Sequence, residues 1–209
     1  MRIRPISPAL LVEEVADRLA ALLPERRLRV AVDGAPAAGG GPLAREVADA
    51  LRVRGRPAYP VDAGGFLRAA SLRFEHGRTD PDTYYDGWRD DAAIRREVLD
   101  PAGPGGAGRI LPSLWDPVRD RATRAAYREL EPTAAVLLHG PLLLGGVLPF
   151  DATVHLALSE AALARRTSQE DEWTLRAFAR YSEEVNPTAF ADVVVRVDDP
   201  RHPALVERV

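Results

Sequence analysis

Residues able to do chemistry gather at one stretch. An apolar run at 28–32 empties into Asp33-Gly34-Ala35-Pro36-Ala37-Ala38-Gly39-Gly40-Gly41, after which Leu43, Val47, Ala48 and Leu51 recur at helical spacing. Strand, glycine loop and helix in that order form the setting in which backbone amides and a helix N-terminus hold phosphate. Gly34 and Gly39 have the separation of the two glycines in G-x-x-x-x-G-K-[ST], yet Gly40 stands at the lysine position and Gly41 at the hydroxyl position. In a working loop that ammonium bridges the outer phosphates and the hydroxyl helps to hold Mg²⁺. All 28 basic residues are arginine, so no lysine elsewhere can substitute. The phosphate or anion candidates are therefore Gly34, Gly39, Gly40 and Gly41, with Arg45 as a nearby cation; the plainer alternative is a strand-to-helix turn.

A second candidate is His139, which follows the apolar run 134–138. At the C-terminal end of a buried parallel strand it could be a base, a proton shuttle or a metal ligand. It could equally be a hydrogen-bonded histidine with no catalytic part, and no second ligand stands at metal spacing, so no metal set is read. Asp33, just before the loop, is a supporting acid. Trp88, Trp115 and Trp173 are read as packing residues, and no nucleophile elbow is present.

The elements that must position these groups follow from pattern. Ser7-Pro8 with Leu11, Val15 and Leu19 is a capped helix ending near Pro24. A helix is expected from Pro42 to about Arg54 with Gly55 as its stop, and a second strand at 57–61. Residues 71–90 read as loop, 90–99 as helix and 100–106 as a break. Residues 109–128 suggest a projecting hairpin, so that 1–209 is taken as one domain with a small hairpin or lid insertion at about 105–130. Strands at 134–138, 153–158 and a final one at 191–197, with helices at 160–166 and 171–181, give alternating strands and helices and thus a parallel sheet covered on both faces.

Composition narrows the function. The net charge is −3 and cysteine is absent, which excludes disulfides, thiolate catalysis and cysteine metal sites. No basic tract marks a nucleic-acid footprint, no apolar run has membrane-span length, and Met1-Arg2-Ile3-Arg4-Pro5 lacks a signal-peptide core; a cytoplasmic protein is expected, without nucleic-acid or membrane partners.

Four stretches, in order, are Val30-Ala31-Val32-Asp33-Gly34 with its glycine loop, Gly77-Arg78-Thr79-Asp80-Pro81-Asp82-Thr83-Tyr84-Tyr85-Asp86, Leu99-Asp100-Pro101-Ala102-Gly103-Pro104-Gly105-Gly106, and Ala191-Asp192-Val193-Val194-Val195. Together they resemble the P-loop nucleoside kinases, and specifically the uridine-kinase-like proteins. The resemblance implies a three-layer α/β/α P-loop NTPase/kinase-like domain with a parallel sheet. It implies ATP and Mg²⁺ as cofactors and transfer of the γ-phosphate to a nucleoside 5′-hydroxyl or similar alcohol. It places Phe66, His76, Arg78, Asp80, Tyr84 and Tyr85 in an acceptor loop, where the tyrosines either stack on a base or pack the loop down. It places Arg165 and Arg166 in a phosphate-clamping lid, or else at a solvated helix end.

Against that pattern, Gly40-Gly41 replaces the lysine and hydroxyl, and Gly64-Gly65-Phe66 stands where the family carries Asp-Asp-Phe. His139 stands where the family has a metal-binding acid, and the segment 180–191 is short for the lid. Phosphoryl transfer is nearly all positioning and charge stabilisation. The expectation is a degenerate kinase-like protein keeping a pocket for a nucleoside or phosphate ligand. The alternative is an active phosphotransferase, or an enzyme turned to other chemistry, working through arginines and His139.

Overall fold

The computed structural model describes residues 2–207; Met1, Arg208 and Val209, part of the 1–209 domain reading, lie outside the described residues. In chain order the elements are β1 (Arg2–Pro5), α1 (Pro8–Ala21), β2 (Leu28–Asp33), α2 (Gly40–Val53), β3 (Ala58–Asp62), α3 (Ala70–Arg73), α4 (Pro81–Asp86), α5 (Asp91–Ile94) and α6 (Asp100–Ala102). There follow β4 (Arg109–Ile110), β5 (Trp115–Asp116), β6 (Arg121–Ala122), β7 (Arg128–Glu129), β8 (Ala135–Gly140), β9 (Ala152–Ala157), α7 (Glu160–Arg166), α8 (Leu175–Glu184), α9 (Pro187–Phe190), β10 (Val193–Arg196) and β11 (Ala204–Glu207).

Seven strands make the central sheet in the order β1-β11-β10-β9-β2-β8-β3. The run from β10 to β3 is parallel, while β11 pairs antiparallel with β10 and β1 antiparallel with β11. The antiparallel edge corrects the expectation of a purely parallel sheet ending at 191–197. Both antiparallel strands are only four residues long, β1 carrying Arg2, Arg4 and Pro5 and β11 ending in Glu207, so they lack the continuous apolar run of a strand buried on both faces.

Alternation along β2 explains the layering. Leu28, Val30 and Val32 face α1 and α2 and pack with Leu11, Val15, Leu19, Val47 and Leu51, whereas Ala31 joins Val136, Leu138, Phe66, Ile94, Val98 and Phe178 on the opposite face. Two apolar faces, each covered by helices, give the three-layer α/β/α arrangement. Ser7 caps α1 by accepting from the Leu10 amide at 3.2 Å, and Ser159 caps α7 by accepting from Ala162 at 3.3 Å.

Between the layers lies a buried cation. Arg56, 6% exposed, donates to the carbonyls of Leu19, Leu22, Leu23, Arg26 and Thr133 at 2.6–3.2 Å. It thereby gathers the end of α1, the loop into β2 and the turn before β8.

Two local expectations are corrected. Residues 71–90 are not a loop throughout, because they hold α3 and α4. The start of α4 has a clear cause: Asp80 Oδ1 accepts from the Thr83 amide at 2.6 Å, and Pro81 occupies the first turn, where its missing N–H costs nothing. The break expected at 100 begins instead after Ala102, since the helical path continues from α5 through a π-helical stretch (Arg95–Leu99) into α6. The hairpin at 109–129 is present as two short ladders, β4 with β7 and β5 with β6. No helix among the described residues is long and apolar enough to cross a membrane.

Candidate functional site

A cleft of about 430 Å³ opens where β2, β8 and β3 end, the position at which open α/β sheets place ligands. It is lined by the glycine loop after β2, by His139 to Leu142 at the end of the adjacent β8, and by Asp62 to Gly64 with Leu67 after β3 on the far side of β8. The aromatic rings of Tyr84, Tyr85 and Trp88, together with Arg89, complete the lining.

The loop has the expected course and an altered inventory. Gly39 sits at φ +84° as the left-handed residue before α2, and a Cβ on Gly34 would come within 3.0 Å of the Leu156 carbonyl oxygen. Residues Pro36–Ala38 form a 3₁₀ turn in which the Ala38 amide donates to Ala35 and the Gly39 amide to Pro36. Pro36 and Pro42 have no amide hydrogen. Gly40 and Gly41 are the first residues of α2, in the turn whose amides lack a partner within that helix.

Beside Gly41 lies His139. A Cβ at position 41 would be 3.3 Å from its Cε1 and 3.4 Å from Arg45 Nη1. His139 Nδ1 is 3.9 Å from Asp62 Oδ1, too far for a hydrogen bond, while that carboxylate oxygen accepts from the Gly64 amide at 2.7 Å. Burial pulls the His139 pKa below its ordinary value; Asp62 opposes this and Arg45 adds to it. The folded chain thus favours the neutral ring. Stability is expected to be full above the unfolded histidine value of about 6.5 and to fall as pH drops below it. Urea titrations across that window should show a flatter profile for H139N than for the natural chain; parallel profiles would contradict the assignment.

Arg45 is exposed and, among the described residues, makes no hydrogen bond or ion pair; it is the cation available to a ligand. Arg89 is committed elsewhere, donating to Asp91 and to the carbonyls of Pro141 and Leu142. Trp88, read from the sequence as packing, also lines the cleft, and its buried indole N–H has no acceptor among the described residues. Tyr84 packs edge-on against Trp88, Trp173 and Phe178, and burial pushes its hydroxyl pKa up to about 12. Tyr85 lies under Arg180 and donates to Glu184 at 3.2 Å.

Several residues grouped by the family resemblance fall elsewhere. Phe66 is 1% exposed in the core, and Leu67 takes the lining position instead. His76 borders a separate shallow pocket, Arg78 stacks on Phe74 with its guanidinium 4.9 Å from the ring centre, and Asp80 serves as the cap of α4. Arg166 donates to the Val197 carbonyl at 2.7 Å and Arg165 is exposed on α7; neither lines the cleft.

One group carries more than its sequence context suggested. Asp33, fully buried, accepts from the Leu143 amide at 2.8 Å and from the Tyr181 hydroxyl at 3.1 Å, and lies 2.6 Å from His155 Nδ1. Tyr181 in turn accepts from the Leu144 amide at 2.9 Å, and burial together with the Asp33 charge raises its pKa. The end of β2, the loop after β8, β9 and α8 are thus tied together directly behind the glycine loop.

No protein-family model matches this chain, and neither does any curated protein sequence. Solved structures do. A possible uridine kinase from Bacillus stearothermophilus superposes with a TM-score of 0.71 at 18% identity, over 88% of this chain and 96% of that one. A candidate fructose transport system kinase from Silicibacter sp. TM1040 gives 0.61 at 24%, over 86% and 95%, and the YGR205w protein 0.57 at 11%, over 94% and 99%. The chain has the three-layer α/β/α fold of the uridine-kinase-like P-loop proteins.

Proposed function

We propose that this chain is a degenerate P-loop kinase-like protein which has given up ATP-dependent phosphoryl transfer and uses its cleft to bind a nucleoside-sized ligand, in a binding or regulatory role. The observation that carries this is the composition of the cleft. By the family resemblance Gly40, Gly41, Gly64-Gly65 and His139 stand at the lysine, hydroxyl, base and metal-acid positions; of these Gly40, Gly41, Gly64 and His139 line the cleft, with Tyr84, Tyr85 and Trp88 beside a space of about 430 Å³.

Magnesium triphosphate does not suit these residues. Mg²⁺ demands a near-octahedral oxygen shell, and the groups beside the loop are an imidazole, one carboxylate and a glycine without a hydroxyl. A triphosphate would meet Arg45 as its free cation.

The test pairs turnover with binding. With ATP, Mg²⁺ and a nucleoside panel, no phosphoryl transfer is expected, against rates of about 1–100 s⁻¹ in working kinases. A nucleoside-sized ligand at about 100 times its Kd should stabilise the fold by about 2.7 kcal/mol in a melting assay. Sustained transfer would overturn the proposal. One feature favours the active alternative, namely Asp62, a cleft carboxylate two residues before Gly64. If transfer is found and D62N abolishes it, Asp62 is a relocated base.

A further inference from the structure

Two of the positions at which the kinase chemistry is missing are also closed by neighbouring side chains. A Cβ on Gly41 would sit 3.3 Å from His139 Cε1 and 3.5 Å from Nδ1, tighter than ordinary carbon contacts at the first of these. Arg45 also borders that space, but its exposed, flexible side chain can swing away; His139 is largely buried on a central strand and cannot do so freely. A Cβ on Gly65 would sit 2.7 Å from Ser113 Oγ and 3.0 Å from Ser113 Cβ, so the hairpin segment fills the room a longer residue would need. A side chain at 41 requires the His139 ring to give by a few tenths of an ångström, and one at 65 requires Ser113 to move. The ring of His139 is held largely neutral by burial and brings no cationic charge in exchange for the space it fills.

We propose that the His139 imidazole takes the place of a divalent cation at the head of α2, so that the cleft accepts a nucleoside-sized aromatic ligand bearing at most one negative charge and excludes metal-chelated polyphosphates. The inference rests on the cleft being a non-catalytic binding site. His139 is here a specificity-determining residue, and Gly41 is its companion: the ring crowds the space that a side chain at 41 would enter.

The experiment is a mutant cycle of G41S, H139D and the double variant, read by melting temperature and tryptophan fluorescence, with Mn²⁺ alone, ATP with Mg²⁺, and ATP with EDTA as probes. In the natural chain, Mn²⁺ should move neither signal, and Mg²⁺ should add nothing to any response to ATP. G41S should lower the melting temperature by itself but not when combined with H139D, and the double variant should bind Mn²⁺ at least about tenfold more tightly than the natural chain. Should H139D fold poorly, G41A and H139A carry the steric part. G41A should destabilise although glycine to alanine inside a helix ordinarily stabilises, and H139A should remove that penalty. Simple additivity of these changes overturns the inference, as does Mn²⁺ or Mg²⁺–ATP binding by the natural chain. Failure of the underlying reading has a different signature, transfer of the γ-phosphate by the natural chain.

Discussion

Replacement of Arg56 by methionine is expected to destabilise the fold by about 3–5 kcal/mol, because several buried acceptors lose their donor together and each costs about 1 kcal/mol or more. The guanidinium bonds five carbonyls at 2.6–3.2 Å, and Asp and Glu are absent from that set. Methionine keeps most of the volume, so the loss measures hydrogen bonding rather than a cavity. Lysine should recover little, since one ammonium cannot span carbonyls that the planar fork reaches from two sides. For a chain of this size the change corresponds to a fall in melting temperature of about 10 °C. Urea denaturation decides the matter, and a loss below about 1 kcal/mol would mean that water replaces the guanidinium at these carbonyls.

Asp33→Ala should have a comparable effect by a different route. Removing the carboxylate strands the amide of Leu143, the hydroxyl of Tyr181 and the ring of His155 in a buried site. Breaking one partner of such a buried charged network costs about 3–5 kcal/mol. Asp33→Asn is the informative companion. It keeps the size and one acceptor for Leu143, but turns an amide towards groups that expect an anion, and its loss should be intermediate. Because the same carboxylate fixes both the start of the glycine loop and the segment 142–144, binding in the cleft should weaken more than stability alone explains. Equal stability of D33A and the natural chain would remove the network from any account of the site.

The parts of this architecture that rest on local pattern were legible from residues alone. The strands β8 and β10 open on continuous apolar runs and β2 and β9 are mostly apolar, the loop announces itself by glycines, and Ser7 and Ser159 mark helix starts. What escaped depends on distance in the chain. Asp33, His155 and Tyr181 are more than a hundred residues apart at the widest, and nothing in their neighbourhoods links them. Arg56 looks like any surface arginine until the carbonyls around it are known. The short helices α3 and α4 were obscured by polar sequence, although Asp80-Pro81 was a usable start signal. Asp62 was overshadowed by the glycines after it, and its place in the cleft follows from the register of β3 on β8.

The position of β2 bears on how the molecule comes into being. Its flanking strands are β8 and β9, with Leu28 opposite Ala135 and Val30 opposite Ala152. A growing chain that has been made only as far as the hairpin therefore holds this strand with neither lateral neighbour, and pairing over such separations is slow because loop closure precedes the reward. The glycine loop takes its shape only once synthesis has passed β9. Until then an apolar strand and the helix behind it wait as the aggregation-prone part of the nascent chain.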